Sequence, residues 1–87
     1  MSRGDEMFFF FFFEPETFAK RLKKLRVSKG LTMEALAKEI HGTKAAIGNF
    51  ENTNKKPSLD ALIALADYFD VSIDYLVGRT DNPEVNK

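Results

Sequence analysis

From residue 15 onward the apolar positions recur at the three- and four-residue spacing of helices, and nowhere in that stretch do they alternate as in strands. Phe18, Leu22 and Leu25 fall at i, i+4 and i+7 of the segment 15–29. Lysines and arginines fill the gaps between them, which predicts an amphipathic helix with a basic outer face. Pro15 suits its first turn, where a missing N–H costs nothing, and Gly30 suits a left-handed end. Thr32 is placed to cap a second helix, with Glu34 in its first turn and Leu36, Ala37 and Ile40 inward. His41-Gly42 breaks that helix, and Thr43 caps a third that runs to about Glu51. Two short helices joined by so tight a glycine-containing turn predict a helix-turn-helix. A polar loop, 52–57, leads to Ser58 as the cap of a fourth helix over 59–69, with Leu59, Leu62, Leu65, Ala66 and Phe69 inward. Ser72 caps a short fifth helix, 73–77, closed by Gly78, and 79–87 reads as a polar tail.

The beginning of the chain breaks this pattern. Residues 8–13 are six consecutive phenylalanines after Met7. Seven apolar residues cannot span about 30 Å of hydrocarbon. The mixed charge before them and Glu14-Pro15 after them do not suit a signal peptide. Three roles stay open: an antiparallel ribbon with a second copy, a fold-back over an apolar groove, or a leader outside the fold with the working start at Met7 or beyond. Left exposed as a strand, the run would promote aggregation.

Composition narrows the chemistry. With 87 residues the chain fits one domain with a modest core. It has no cysteine and one histidine, His41, which excludes a disulfide scaffold, a thiol nucleophile and a cysteine or multi-histidine metal site. No cofactor is expected, and no acid, base and nucleophile assemble into an enzyme motif. A reducing cytoplasm is the simplest setting, and no membrane partner is expected. The net charge is zero but unevenly spread. Residues 20–56 hold ten positive side chains and three negative ones, a local +7 balanced by −7 elsewhere. Such runs often only solvate helices, yet one concentrated basic face is also what nucleic-acid phosphates respond to.

Three strings carry a resemblance: RLKKLRVSKGLTMEALA (21–37), AAIGNFEN (45–52) and KKPSLDALIALADYFDVSIDYLVG (55–78). In order and spacing, residues 18–78, about seventy per cent of the chain, resemble the Cro/C1-type (phage repressor, XRE-like) helix-turn-helix family. The resemblance implies an all-α, five-helix DNA-binding domain over 16–79. An irregular or extended phenylalanine arm, 1–15, would precede it, and a polar tail, 80–87, would follow. The implied partner is double-stranded DNA, bound by a homodimeric transcriptional repressor whose third helix enters the major groove.

The family's groove-facing positions correspond here to Thr43, Lys44, Ala45, Gly48 and Asn49. Lys44 can donate to guanine, Asn49 can pair with an adenine edge, and Ala45 can touch a thymine methyl. Gly48 either lets the backbone approach the bases or touches nothing. Ile47 and Phe50 would be core. Lys38, Asn52, Lys55 and Lys56 are the implied phosphate contacts, with Lys44 a further candidate. Arg26 and Glu51 would form a structural ion pair, and Val71, Ile73, Tyr75 and Leu76 a dimer surface. An antitoxin-like protein built mainly to bind a protein partner is the alternative reading.

Three positions depart from the family pattern. Met33 replaces a phosphate-holding glutamine. His41 replaces the usual turn glycine, which would shift the turn by a residue. Thr53 stands where glycine is common, which would move the left-handed conformation to Asn52 or Asn54.

Overall fold

The computed structural model of the chain describes residues 13–85. The phenylalanines at 8–12, with the dimer-strand expectation attached to them, lie outside the described residues. Among those described, the secondary structure is five helices and no strand: α1 (Pro15–Ser28), α2 (Met33–Glu39), α3 (Lys44–Glu51), α4 (Leu59–Phe69) and α5 (Ile73–Val77).

Each helix start is explained by one residue. Pro15 begins α1. The hydroxyls of Thr32, Thr43, Ser58 and Ser72 accept from the backbone N–H of Ala35, Ala46, Ala61 and Tyr75, at 3.0 to 3.1 Å. Each satisfies a donor that no turn of helix could reach.

The ends share one device as well. After every helix a residue takes positive φ: Gly30 (69°), His41 (57°), Thr53 (60°), Asp70 (56°) and Gly78 (91°). The N–H of the following residue then reaches five residues back: Leu31 to Arg26 at 3.1 Å, Gly42 to Ala37 at 2.8 Å, and Asn54 to Asn49 at 2.8 Å. Val71 to Ala66 at 3.0 Å and Arg79 to Asp74 at 2.8 Å complete the set. This Schellman closure satisfies the orphan carbonyls.

Two expectations are corrected here. The turn after α2 is not shifted, because His41 adopts the left-handed conformation itself. Thr53 does the same, while Asn52 stays at φ −98°. The closing hydrogen bonds fix which residue must turn, whatever occupies the position.

Packing follows the helical stripes. Phe18 and Leu22 of α1, Leu36 and Ala37 of α2, Ile47 and Phe50 of α3, Leu65, Ala66 and Phe69 of α4, and Leu76 of α5 form one buried cluster with Val71. Phe18 meets Phe50 edge-on, with ring centroids 5.9 Å apart. Phe13 covers the outer side of Phe18 at 5.2 Å, so the last phenylalanine of the run folds back on the core. Leu59 is a further correction: expected inward, it is 67% exposed. It is the first residue of α4, two positions before Ala61, the first residue of that helix to pack against the core.

The tail is also more than a polar end. The N–H of Ser72 donates to the Pro83 carbonyl at 2.9 Å. Arg21 of α1 donates to the carbonyls of Tyr75 and Thr80 and, at 2.8 Å, to the Asp81 carboxylate. Its guanidinium also lies 4.1 Å from the centre of the Tyr75 ring. Residues 79–83 are thereby strapped across α1 and α5.

Candidate nucleic-acid interface

The region begins with a helix too short to stand alone. Eight residues of α3 would not hold a helix in water, so tertiary contacts must supply its stability and its orientation. Ile47, with no exposed surface, and Phe50, at 8%, turn one side of α3 into the core. The helical period sends Ala45 to the side opposite Ile47, while Thr43 and Lys44 are exposed because they begin the helix. Gly48 and Asn49 lie half-buried one turn later. Lys44, Ala45, Gly48 and Asn49 thus lie along one flank of α3, with Thr43 at its head. Ala46, by contrast, packs against the core.

Arg26 and Glu51 fix the far end of the helix. The guanidinium forks onto the carboxylate through Nε to Oε2 at 2.6 Å and Nη2 to Oε1 at 3.0 Å. Its third arm, Nη1, donates to the Leu31 carbonyl at 2.8 Å. One side chain therefore joins α1, the turn before α2, and the end of α3. The pair is largely out of water, with side-chain exposures of 12% for Arg26 and 3% for Glu51. The hydrogen bond that Arg26 donates to Glu51 raises its pKa above the ordinary value; burial opposes this, and the charge of Glu51 adds to it.

At the near end, the open side of Gly48 faces α2. A Cβ placed there would have Met33 Sδ as its nearest neighbour, at 3.8 Å, an ordinary contact distance. Beside it, Lys44 Nζ lies 3.7 Å from Glu34 Oε1, with both side chains more than 60% exposed.

Lys38, Asn52, Lys55 and Lys56 are all exposed, Lys38 on α2 and the other three in the loop that follows α3. Of the ten positive residues counted between 20 and 56, two belong to the interior architecture instead, Arg26 through Glu51 and Arg21 through the tail. Arg21 was the residue the sequence pattern hid, because its partners are backbone carbonyls 54 and 59 positions away.

The expected dimer residues divide. Val71, at 7% exposure, and Leu76, at 0%, are core side chains that cannot reach a partner. Val71 directly follows the left-handed Asp70, and that closure turns it inward. Ile73 and Tyr75 keep partial exposure. Among the described residues no group of three or more histidines or carboxylates could hold a metal ion. No described helix is long and apolar enough to cross a membrane.

Comparison with known proteins agrees with this geometry. Residues 22–76 match the family model described as Helix-turn-helix. The chain is 46% identical over 67 residues to the uncharacterized HTH-type transcriptional regulator YobD of Bacillus subtilis (strain 168), an alignment covering 77% of this chain. It spans only 60% of the length of that relative. Among solved structures it is similar to the P22 c2 repressor protein in complex with synthetic operator 9T, with a TM-score of 0.69 and 25% identity. That match covers 72% of this chain and 96% of the repressor chain. It is also similar to the restriction-modification controller protein C.AhdI from Aeromonas hydrophila, with a TM-score of 0.66 and 31% identity, covering 71% of this chain and 94% of that one.

Proposed function

Because the chain belongs to the Cro/C1-type helix-turn-helix family of transcriptional regulators, we propose that it binds double-stranded DNA by sequence and represses transcription as a homodimer. One observation carries the reading: α3 is anchored along one side by Ile47, Phe50 and Glu51 while Thr43, Lys44 and Ala45 stand exposed at its start. A major groove about 12 Å wide admits such a helix. Lys44 donates to guanine O6 and N7, Asn49 meets an adenine edge, and Ala45 touches a thymine methyl. Lys38, Asn52, Lys55 and Lys56 hold phosphates around it and supply most of the salt-sensitive affinity.

Two copies related by a twofold axis would place their helices in grooves about 34 Å apart. Ile73 and Tyr75 are the side chains left to form that contact, and repression then follows from occlusion of the site. The test is selection from a random duplex pool, followed by the double variant K44A/N49A. The variant should lose sequence preference while keeping weak, salt-sensitive binding. Unchanged selectivity would refute the groove assignment.

A further inference from the structure

The start of α3 does not present Lys44 alone. Glu34, the second residue of α2, sits beside it with Oε1 3.7 Å from Nζ. At 64% and 74% side-chain exposure, and at that separation, the pair stabilises the fold little. The two helix starts are held side by side by other means. Leu36 and Ala37 of α2 share the buried core with Ile47 and Phe50 of α3, and Met33 packs beside Gly48. Glu34 is therefore an exposed carboxylate carried at the rim of a surface otherwise suited to a polyanion. A carboxylate there works against binding wherever it meets only phosphate. It becomes favourable where it can accept from an exocyclic amino group, and in the major groove those are cytosine N4 and adenine N6.

We infer that Glu34 is a specificity-determining residue: with Lys44 it forms a donor–acceptor pair at the rim of α3 that reads a guanine together with a neighbouring base amino group. This rests on the DNA reading proposed above and adds to it a source of discrimination by repulsion. On DNA with a guanine and a suitably placed amino group, Lys44 turns from Glu34 to O6 and N7, and Glu34 accepts from the amino group. On other DNA the carboxylate is left against phosphate, and binding is weakened. Correct sites are thus separated from random ones by a penalty on the random ones as well as by attraction to the correct ones.

The experiment uses the full chain with Glu34→Gln, which keeps the shape and loses the charge. Glu34→Ala serves as a second variant, and circular dichroism confirms the helices in both. Dissociation constants are measured for the selected sequence, for each single-base-pair change within it, and for random duplex. The expected result for Glu34→Gln is a gain of about threefold to tenfold in affinity for random duplex. In Glu34→Ala, which loses the acceptor as well, discrimination should flatten at one base pair, next to the one at which Lys44→Ala flattens it; a mismatch there ordinarily costs on the order of tenfold. An equal gain on every duplex, or no change on any, would overturn the inference while leaving the groove assignment standing. Failure of the unaltered chain to select any sequence would instead overturn the DNA reading, and this inference with it.

Discussion

Replacing Glu51 by alanine would test what orients α3. The carboxylate is 3% exposed and accepts two forked bonds from Arg26, at 2.6 and 3.0 Å. Removing one partner of a buried pair typically costs about 3–5 kcal/mol, because the other charge stays behind uncompensated. Arg26 would keep its bond to the Leu31 carbonyl and is 12% exposed, so water can partly replace the carboxylate. The lower end, about 3 kcal/mol, is therefore expected. In a domain of this size each kcal/mol moves the melting temperature by about 4–8 °C, giving a drop of about 12–24 °C. Urea titration should show the midpoint falling with an unchanged slope, the sign of lost stability and not of an altered unfolded state.

The double variant R26M/E51L separates pairing from packing. It removes both buried charges and should recover at least half of the loss. A single variant costing under about 1 kcal/mol would show that the fork, despite its geometry, does not hold α3. The pH dependence has a definite sign. The folded pKa of Arg26 is raised, so its contribution is fully present below the unfolded value and lost only as pH climbs through the folded one. Arg26 should thus contribute no change in stability between pH 6 and 9.

Three further outcomes concern a helix end, the exposed flank of α3 and the tail. Thr53→Gly should raise stability by about 1 kcal/mol, since a β-branched side chain at φ 60° is strained where glycine is not; a loss in chemical denaturation would contradict this. Gly48→Ala should also stabilise by about 1 kcal/mol, because the new Cβ meets only Met33 at 3.8 Å. If Gly48 lets the backbone approach the bases, the same variant should bind the selected DNA more weakly, so calorimetry and binding titration would move in opposite directions. Ending the chain after Gly78 removes the Thr80 and Asp81 acceptors of Arg21 and should lower the melting temperature, and Arg21→Ala should then cost less than in the full chain, since only its Tyr75 contacts remain. Additive losses would mean that Arg21 acts elsewhere.

What the sequence made legible was local. Thr32, Thr43, Ser58 and Ser72 announce their helices because a cap needs only a hydroxyl three residues before an amide. Ile47 and Phe50 were legible because a three-residue spacing on so short a helix leaves one inward side. Leu59 misled because periodicity says which face a residue takes, not whether anything lies opposite it. Val71 and Leu76 misled because a surface expected from resemblance carries no account of burial. At Thr53 and His41 residue preference is a poor guide, because the hydrogen bonds that close each helix decide which residue turns. The clamp of Arg21 on the tail could not be inferred at all, since backbone carbonyls leave no mark in residue identity.

The division of α3 has an evolutionary consequence. Its inward residues, Ile47, Phe50 and Glu51, and its outward ones, Thr43, Lys44, Ala45 and Asn49, share no position. Substitutions of the exposed Lys44 and Ala45 should cost folding little, whereas substitutions of the inward set disturb how α3 is held. If α3 reads DNA as proposed, a lineage carrying it can exchange one target for another through a few substitutions at exposed positions that the core does not use.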